Sequence, residues 1–68
     1  MTITRIEVTT YDRVYTEECY GLMETINRVE EIQKCDNVIG VEVMNIKTGE
    51  VLYYKTLTGK RYVAETLV

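Results

Sequence analysis

Histidine is absent from this 68-residue chain. That removes Ser-His-Asp and Cys-His nucleophilic systems, the usual zinc sites and the commonest general base near neutral pH. Cysteine is scarce. Cys19 and Cys35 are the only two, and thiols at opposite ends of a helix cannot build a four-ligand metal site. The glycines Gly21, Gly40, Gly49 and Gly59 stand far apart, so there is no glycine-rich phosphate loop. No apolar run exceeds a few residues, which excludes a transmembrane helix. An enzyme would have to be made from tyrosine, lysine and carboxylates. We expect no enzyme, no metal and no cofactor.

What is present is ordinary globular composition: 46% hydrophobic and 28% charged residues, too apolar for a disordered tail. The length allows one domain, residues 1–68, near the lower limit at which a single core suffices. Self-association, which buries more apolar area per chain, is therefore expected. Residues 1–7 hold no basic region followed by an apolar stretch, so we expect no signal peptide and a complete short reading frame.

Residues 2–15 are rich in Thr, Ile, Val and Tyr and read as extended, either one long strand or a loose hairpin broken near Thr9–Arg13. Thr16, Glu17 and Glu18 read as a helix start, with a capping hydroxyl and carboxylates in the first turn. From Glu17 to about Lys34, Cys19, Leu22, Met23, Ile26, Val29 and Ile32 recur at steps of three and four, an apolar stripe. Glu24–Arg28 and Glu30–Lys34 have the spacing of favourable i,i+4 pairs, and Cys35, Asp36 and Asn37 close the helix. With both cysteines on that helix, sixteen residues apart, roughly 24 Å would separate them, too far for a disulfide. Free thiols point to the cytoplasm.

Val38–Ile46 and Val51–Leu57 read as strands joined by a turn at Gly49, and Tyr62–Leu67 as a third strand after a turn at Gly59. The expected fold is α+β in β(β)αβββ order: one amphipathic helix on a small antiparallel sheet ending in a three-stranded meander. One helix covers one sheet face, so the other face stays open.

Three surfaces are candidates for binding. Residues 1–36 hold four basic and eight acidic side chains, and Glu17, Glu24 and Glu31, with Glu18, Glu30 and Asp36, fall on or beside the helix. A carboxylate row of this kind imitates a phosphate backbone. In size, acidity and layout the chain is similar to small acidic α+β inhibitors of bacteriophages, such as uracil-DNA glycosylase inhibitors and several anti-CRISPR proteins; no motif is shared. The interspersed Arg28 and Lys34 dilute the row. Residues 45–68 instead hold four basic side chains (Lys47, Lys55, Lys60, Arg61) against two acidic, with Tyr53, Tyr54 and Tyr62 between them. That is the composition of a base-stacking platform, but the overall net charge of −3 opposes nucleic-acid binding.

The third surface is aromatic. Six tyrosines with no Phe or Trp suit half-exposed positions, where the ring packs and the hydroxyl stays wet. Tyr53 and Tyr54 are neighbours on a strand and must point to opposite faces. Tyr11, Tyr15, Tyr53, Tyr54, Arg61 and Tyr62 form a partner-binding or dimer-interface set, and the last strand, ending at Val68, is a candidate edge for pairing. We expect a dimeric, non-enzymatic protein-binding module of the cytoplasm, in its narrowest version a phage or mobile-element inhibitor of a host enzyme. A nucleic-acid-binding meander and a small-molecule site between subunits, built from tyrosines and Arg61, are the alternatives.

Overall fold

The structure, a computed structural model, describes residues 1–67, with side chains through Thr66. Strand β1, Ile3–Thr10, alternates buried Thr4, Ile6, Val8 and Thr10 with exposed Ile3, Arg5 and Glu7. The chain reverses at Tyr11 and Asp12, where the Thr10 N–H donates to the Arg13 carbonyl (2.8 Å) and the Thr10 hydroxyl donates to the Asp12 carboxylate (2.8 Å). The N-terminal segment is thus a hairpin. Its second strand, β2, is Val14–Tyr20, paired in the register Val8↔Tyr15, Ile6↔Glu17, Thr4↔Cys19.

The expected helix start is therefore corrected. Thr16, Glu17 and Glu18 lie in β2, and helix α1 spans Leu22–Gln33. Val14, Tyr15, Thr16 and Tyr20 favour a pleated surface, and pairing with β1 outweighs the helix-like spacing of Cys19 and Leu22. Gly21 makes the corner. Its backbone (φ 95°, ψ 150°) is neither helix nor strand, a region open to glycine almost alone. No side chain caps the helix; Glu24 reaches back to accept the Tyr20 N–H (2.6 Å), one turn before its own position.

With the start at Leu22, the buried stripe is Thr25, Val29 and Ile32, with Leu22 packed against it. Met23, assigned to the stripe from the sequence, is 70% exposed, because it sits one residue, about 100° of arc, away from Leu22. Both cysteines are free, Cys19 buried on β2 and Cys35 exposed beyond the helix. They do not share the helix; its whole length separates them. Burial, reinforced by Glu24 and Glu17, pushes the Cys19 thiol up and keeps it protonated.

Beyond the helix, β3 (Val38–Asn45), β4 (Val51–Lys55) and β5 (Arg61–Val63) form the expected meander. Gly49 (φ 76°) and Gly59 (φ 90°) supply the positive φ of its two turns. β3 also pairs with β1, giving an antiparallel sheet of order β2-β1-β3-β4-β5. The last strand is shorter than expected. After Val63 the chain leaves the ladder: Ala64 is buried, its N–H bonds the Leu52 carbonyl (2.8 Å), and Glu65–Leu67 form a 3-10 turn. Val68 lies outside the described residues.

The helix packs over β2, β1 and β3, and Ile6, Val8, Val29, Ile32, Val41, Val43 and Leu52 fill the space between. Inside this core Thr4 and Thr25 join their hydroxyls at 2.7 Å, and Thr25 also donates to the Gly21 carbonyl at 2.8 Å. A hydroxyl has one hydrogen. Thr25 gives its own to Gly21, so Thr4 must be the donor between the two.

Candidate functional site

The sheet face turned away from the helix is uncovered. Strand alternation and register place on it Ile3, Arg5, Glu7 and Thr9 of β1, Val14, Thr16, Glu18 and Tyr20 of β2, Gly40, Glu42 and Met44 of β3, Tyr54 of β4 and Tyr62 of β5. Its charge is unbalanced. Arg5 is opposite Glu18, whereas Glu7 is directly opposite Glu42, with Thr16 on one flank and Tyr54 on the other. Glu7 and Glu42 are both exposed. Like charges at facing positions destabilise a sheet, and among the described residues no cation lies within ion-pair distance of either.

Next to this carboxylate pair is a shallow depression of about 400 Å³ lined by Glu7, Thr9, Gly40, Glu42, Tyr54, Lys55 and Leu57, among others; Lys55, in register with Val41, sets its side chain toward the opposite face. Gly40 leaves it open: a Cβ there would contact the Lys55 carbonyl at 3.6 Å and the Thr9 Cβ at 3.7 Å. Leu57, 68% exposed, adds apolar surface. Along one side Tyr54 stacks on Tyr62, with centroids 5.7 Å apart and planes 19° from parallel. The site thus offers negative charge, an apolar floor and an aromatic wall, the elements that hold a cationic side chain by its head and its stem.

The tyrosine set divides between surfaces. Tyr54 and Tyr62 are on the open face, as adjacency on a strand required. Tyr53 faces the helix and accepts a hydrogen bond from the Gln33 amide. Tyr15 lies on the helix side of β2 under the Arg13 guanidinium (5.0 Å), and Tyr11 is exposed at the hairpin tip. Arg61, paired with Lys55, lines a groove of about 200 Å³ on the helix side, between Ile26, Glu30 and Gln33 of α1 and Tyr53 and Val63.

The acidic set divides too. Glu17 is on β2, not on the helix, and its carboxylate takes a bidentate pair from Arg28 (2.8 Å to each oxygen). Glu31 lies 3.8 Å from the same guanidinium, and Glu24 is engaged at the corner. Arg28 thus stands between two members of the expected row, and the third is already hydrogen-bonded. Arg28 holds the Glu17 carboxyl below the usual carboxylate range. A depressed folded-state value stabilises the protein above the unfolded pKa, and that contribution is lost as the pH falls through the folded one. The pair is partly exposed, so its worth is at most about 1 kcal/mol. Urea titrations at neutral pH and near pH 3 are expected to show an acid-induced loss that is smaller, by that amount, in Glu17→Gln.

Glu7, Glu42, Gly40 and Leu57 were not singled out from the sequence. Glu7 and Glu42 carried a local signal, a polar residue at outward parity, and Gly40 another, a glycine inside a strand; Leu57, in the turn after β4, carried none. Their convergence depends on β1 meeting β3 across thirty-five positions, which no local pattern encodes. Among the described residues no three His, Cys, Asp or Glu side chains gather as metal ligands, and no helix is long and apolar enough to cross a membrane. Comparison with known proteins gives no matching family model, no matching curated protein and no matching solved structure.

Proposed function

We propose that this protein is a small non-enzymatic binding module whose open sheet face receives a basic surface of another protein. The observation that carries this reading is the facing pair Glu7 and Glu42, which lacks a cation and lies beside a glycine-floored depression and the Tyr54–Tyr62 stack. A lysine or arginine laid across Gly40 places its charge at the carboxylates and its methylenes on Leu57 and Tyr54. Free thiols at Cys19 and Cys35 support a reducing compartment, and hence the cytoplasm. The narrower reading, a phage-encoded inhibitor of a host enzyme, is supported by size, acidity and layout, and the open acidic face supports it better than the helix does.

The base-stacking alternative has less support. Tyr54 and Tyr62 share their face with Glu42 and Glu7, so a phosphate backbone would meet carboxylates. The Arg61 groove, about 200 Å³, falls below the several hundred Å³ usual for a small-molecule pocket.

The test is an NMR titration of labelled protein with a lysine-rich peptide, and with a glutamate-rich peptide as control. The lysine peptide is expected to shift Glu7, Gly40, Glu42 and Tyr54, the effect fading with salt and disappearing in Glu7→Gln/Glu42→Gln. Equal shifts from both peptides, or shifts elsewhere only, overturn the reading. Removing the repulsion in Glu42→Gln is expected to stabilise the fold by roughly 0.5 kcal/mol, measured by urea denaturation. A residue that binding requires and folding disfavours has that signature.

A further inference from the structure

The two edges of the sheet are built differently. β5 has three residues and ends at Ala64 and the 3-10 turn, whereas β2 runs seven residues, Val14–Tyr20, with no register shift against β1. It contains no proline, lysine or bulge, devices that commonly blunt an exposed edge, and its two charges are Glu17, held by Arg28, and Glu18. Val14 and Tyr20 on this edge are 59% and 54% exposed.

The direction of its backbone groups follows from the hydrogen bonds around it. The Thr10 N–H bonds Arg13 and the Thr2 carbonyl bonds Gly21, so even residues of β1 face β2. The Ile3 carbonyl bonds Ile46, so odd residues face β3. By register, Tyr15, Glu17 and Cys19 turn their amides and carbonyls toward β1, and Val14, Thr16, Glu18 and Tyr20 turn theirs outward. The Tyr20 N–H is taken by Glu24, which leaves Val14, Thr16 and Glu18 as the outward-facing ladder sites.

We propose that a second copy of this chain occupies this edge, antiparallel, with Thr16 opposite the partner's Thr16. Only this two-fold register pairs the three sites among themselves, Val14 with the partner's Glu18 and Glu18 with the partner's Val14. Each hydrogen-bonded pair exchanges two bonds, so the interface carries roughly six. Facing threonines are a favourable pair. Registers centred on Glu17 or Glu18 put like charges face to face, and those centred on Val14 or Tyr15 drop Glu18 from the ladder. The assembly is one continuous ten-stranded sheet with both open faces on the same side.

Sedimentation of the full chain tests this. The wild type is expected to dimerise, and Thr16→Glu, which faces a carboxylate with its own copy as well as Glu7 of its own β1, to weaken the dimer at least about tenfold while circular dichroism shows the fold retained. Register is read independently by cysteines in a Cys35→Ser background. Thr16→Cys is expected to cross-link between copies under mild oxidation. Val14→Cys, opposite the partner's Glu18, is not. A monomer at every soluble concentration overturns the proposal. So does a dimer that Thr16→Glu leaves intact, or one that Val14→Cys traps and Thr16→Cys does not. None of these measurements alters Glu7 or Glu42, so either proposal can fail without the other.

Discussion

Gly21→Ala is expected to lower the melting temperature by roughly 5–20 °C. The residue holds φ 95° and ψ 150°, where a Cβ costs about 1–3 kcal/mol, and a domain this small loses about 4–8 °C for each kcal/mol. Space is not the obstacle, since a Cβ at Gly21 would have no atom within 4 Å. The penalty is confined to the backbone, and no repacking relieves it. Gly40→Ala supplies the internal control. Gly40 has no positive φ and would make only ordinary contacts, so alanine is expected to stabilise by about 0.4–1 kcal/mol through the unfolded chain. Thermal denaturation of the two variants should therefore move in opposite directions. A Gly21→Ala protein that melts with the wild type would mean the strand-to-helix corner is not formed as described.

The second large effect is in the Thr4–Thr25 pair, and it is asymmetric. Both side chains are essentially inaccessible to solvent, at 0% and 1% exposure, and Thr4 donates to Thr25 while Thr25 donates to Gly21. Thr25→Val removes the acceptor and leaves the Thr4 hydroxyl buried with an unused hydrogen, a cost of about 1–3 kcal/mol. The Gly21 carbonyl does not suffer equally, because the Thr25 amide still bonds it at 3.1 Å. Thr4→Val leaves no orphaned donor, only an unused lone pair on Thr25, and is expected to cost less than about 1 kcal/mol. The double variant should recover most of what Thr25→Val loses. A urea double-mutant cycle measures all three, and equal, additive losses would contradict the assigned donor direction.

These two sites also show where sequence reading stops. The meander was legible because its signals are local: alternating Val41 and Val43, and glycines at the two turns. The adjacency of Tyr53 and Tyr54 fixed their opposite faces by pleat geometry alone. The helix start was misread because the spacing from Cys19 to Leu22 suits a helix, while the competing claim on residues 14–20 came from β1, through a turn held by Thr10 and Asp12. Thr25 reads as a polar interruption of the apolar stripe until Thr4, on a different element, is placed beneath it. The open face itself was expected from one helix on one sheet. Its acidic character was not, because Glu7 and Glu42 are the single carboxylates of their own strands and become a pair only through the β1–β3 register.

β1 lies inside the sheet, between β2 and β3, although it is the first of the five strands to be synthesised. Its odd-numbered amides and carbonyls, together with one flank of Ile6 and Val8, stay uncovered until β3 is synthesised some thirty residues later. During that interval the β3 side of β1 is a vacant slot, and the β3–β5 meander of a neighbouring chain carries the same set of contacts as its own. The segment Lys34–Asn37, between helix and meander, is the natural hinge for such an exchange. Fidelity of assembly in this fold therefore rests on the short α1–β3 connection returning its own meander before a neighbour's arrives, a contest decided by effective concentration rather than by contact energy.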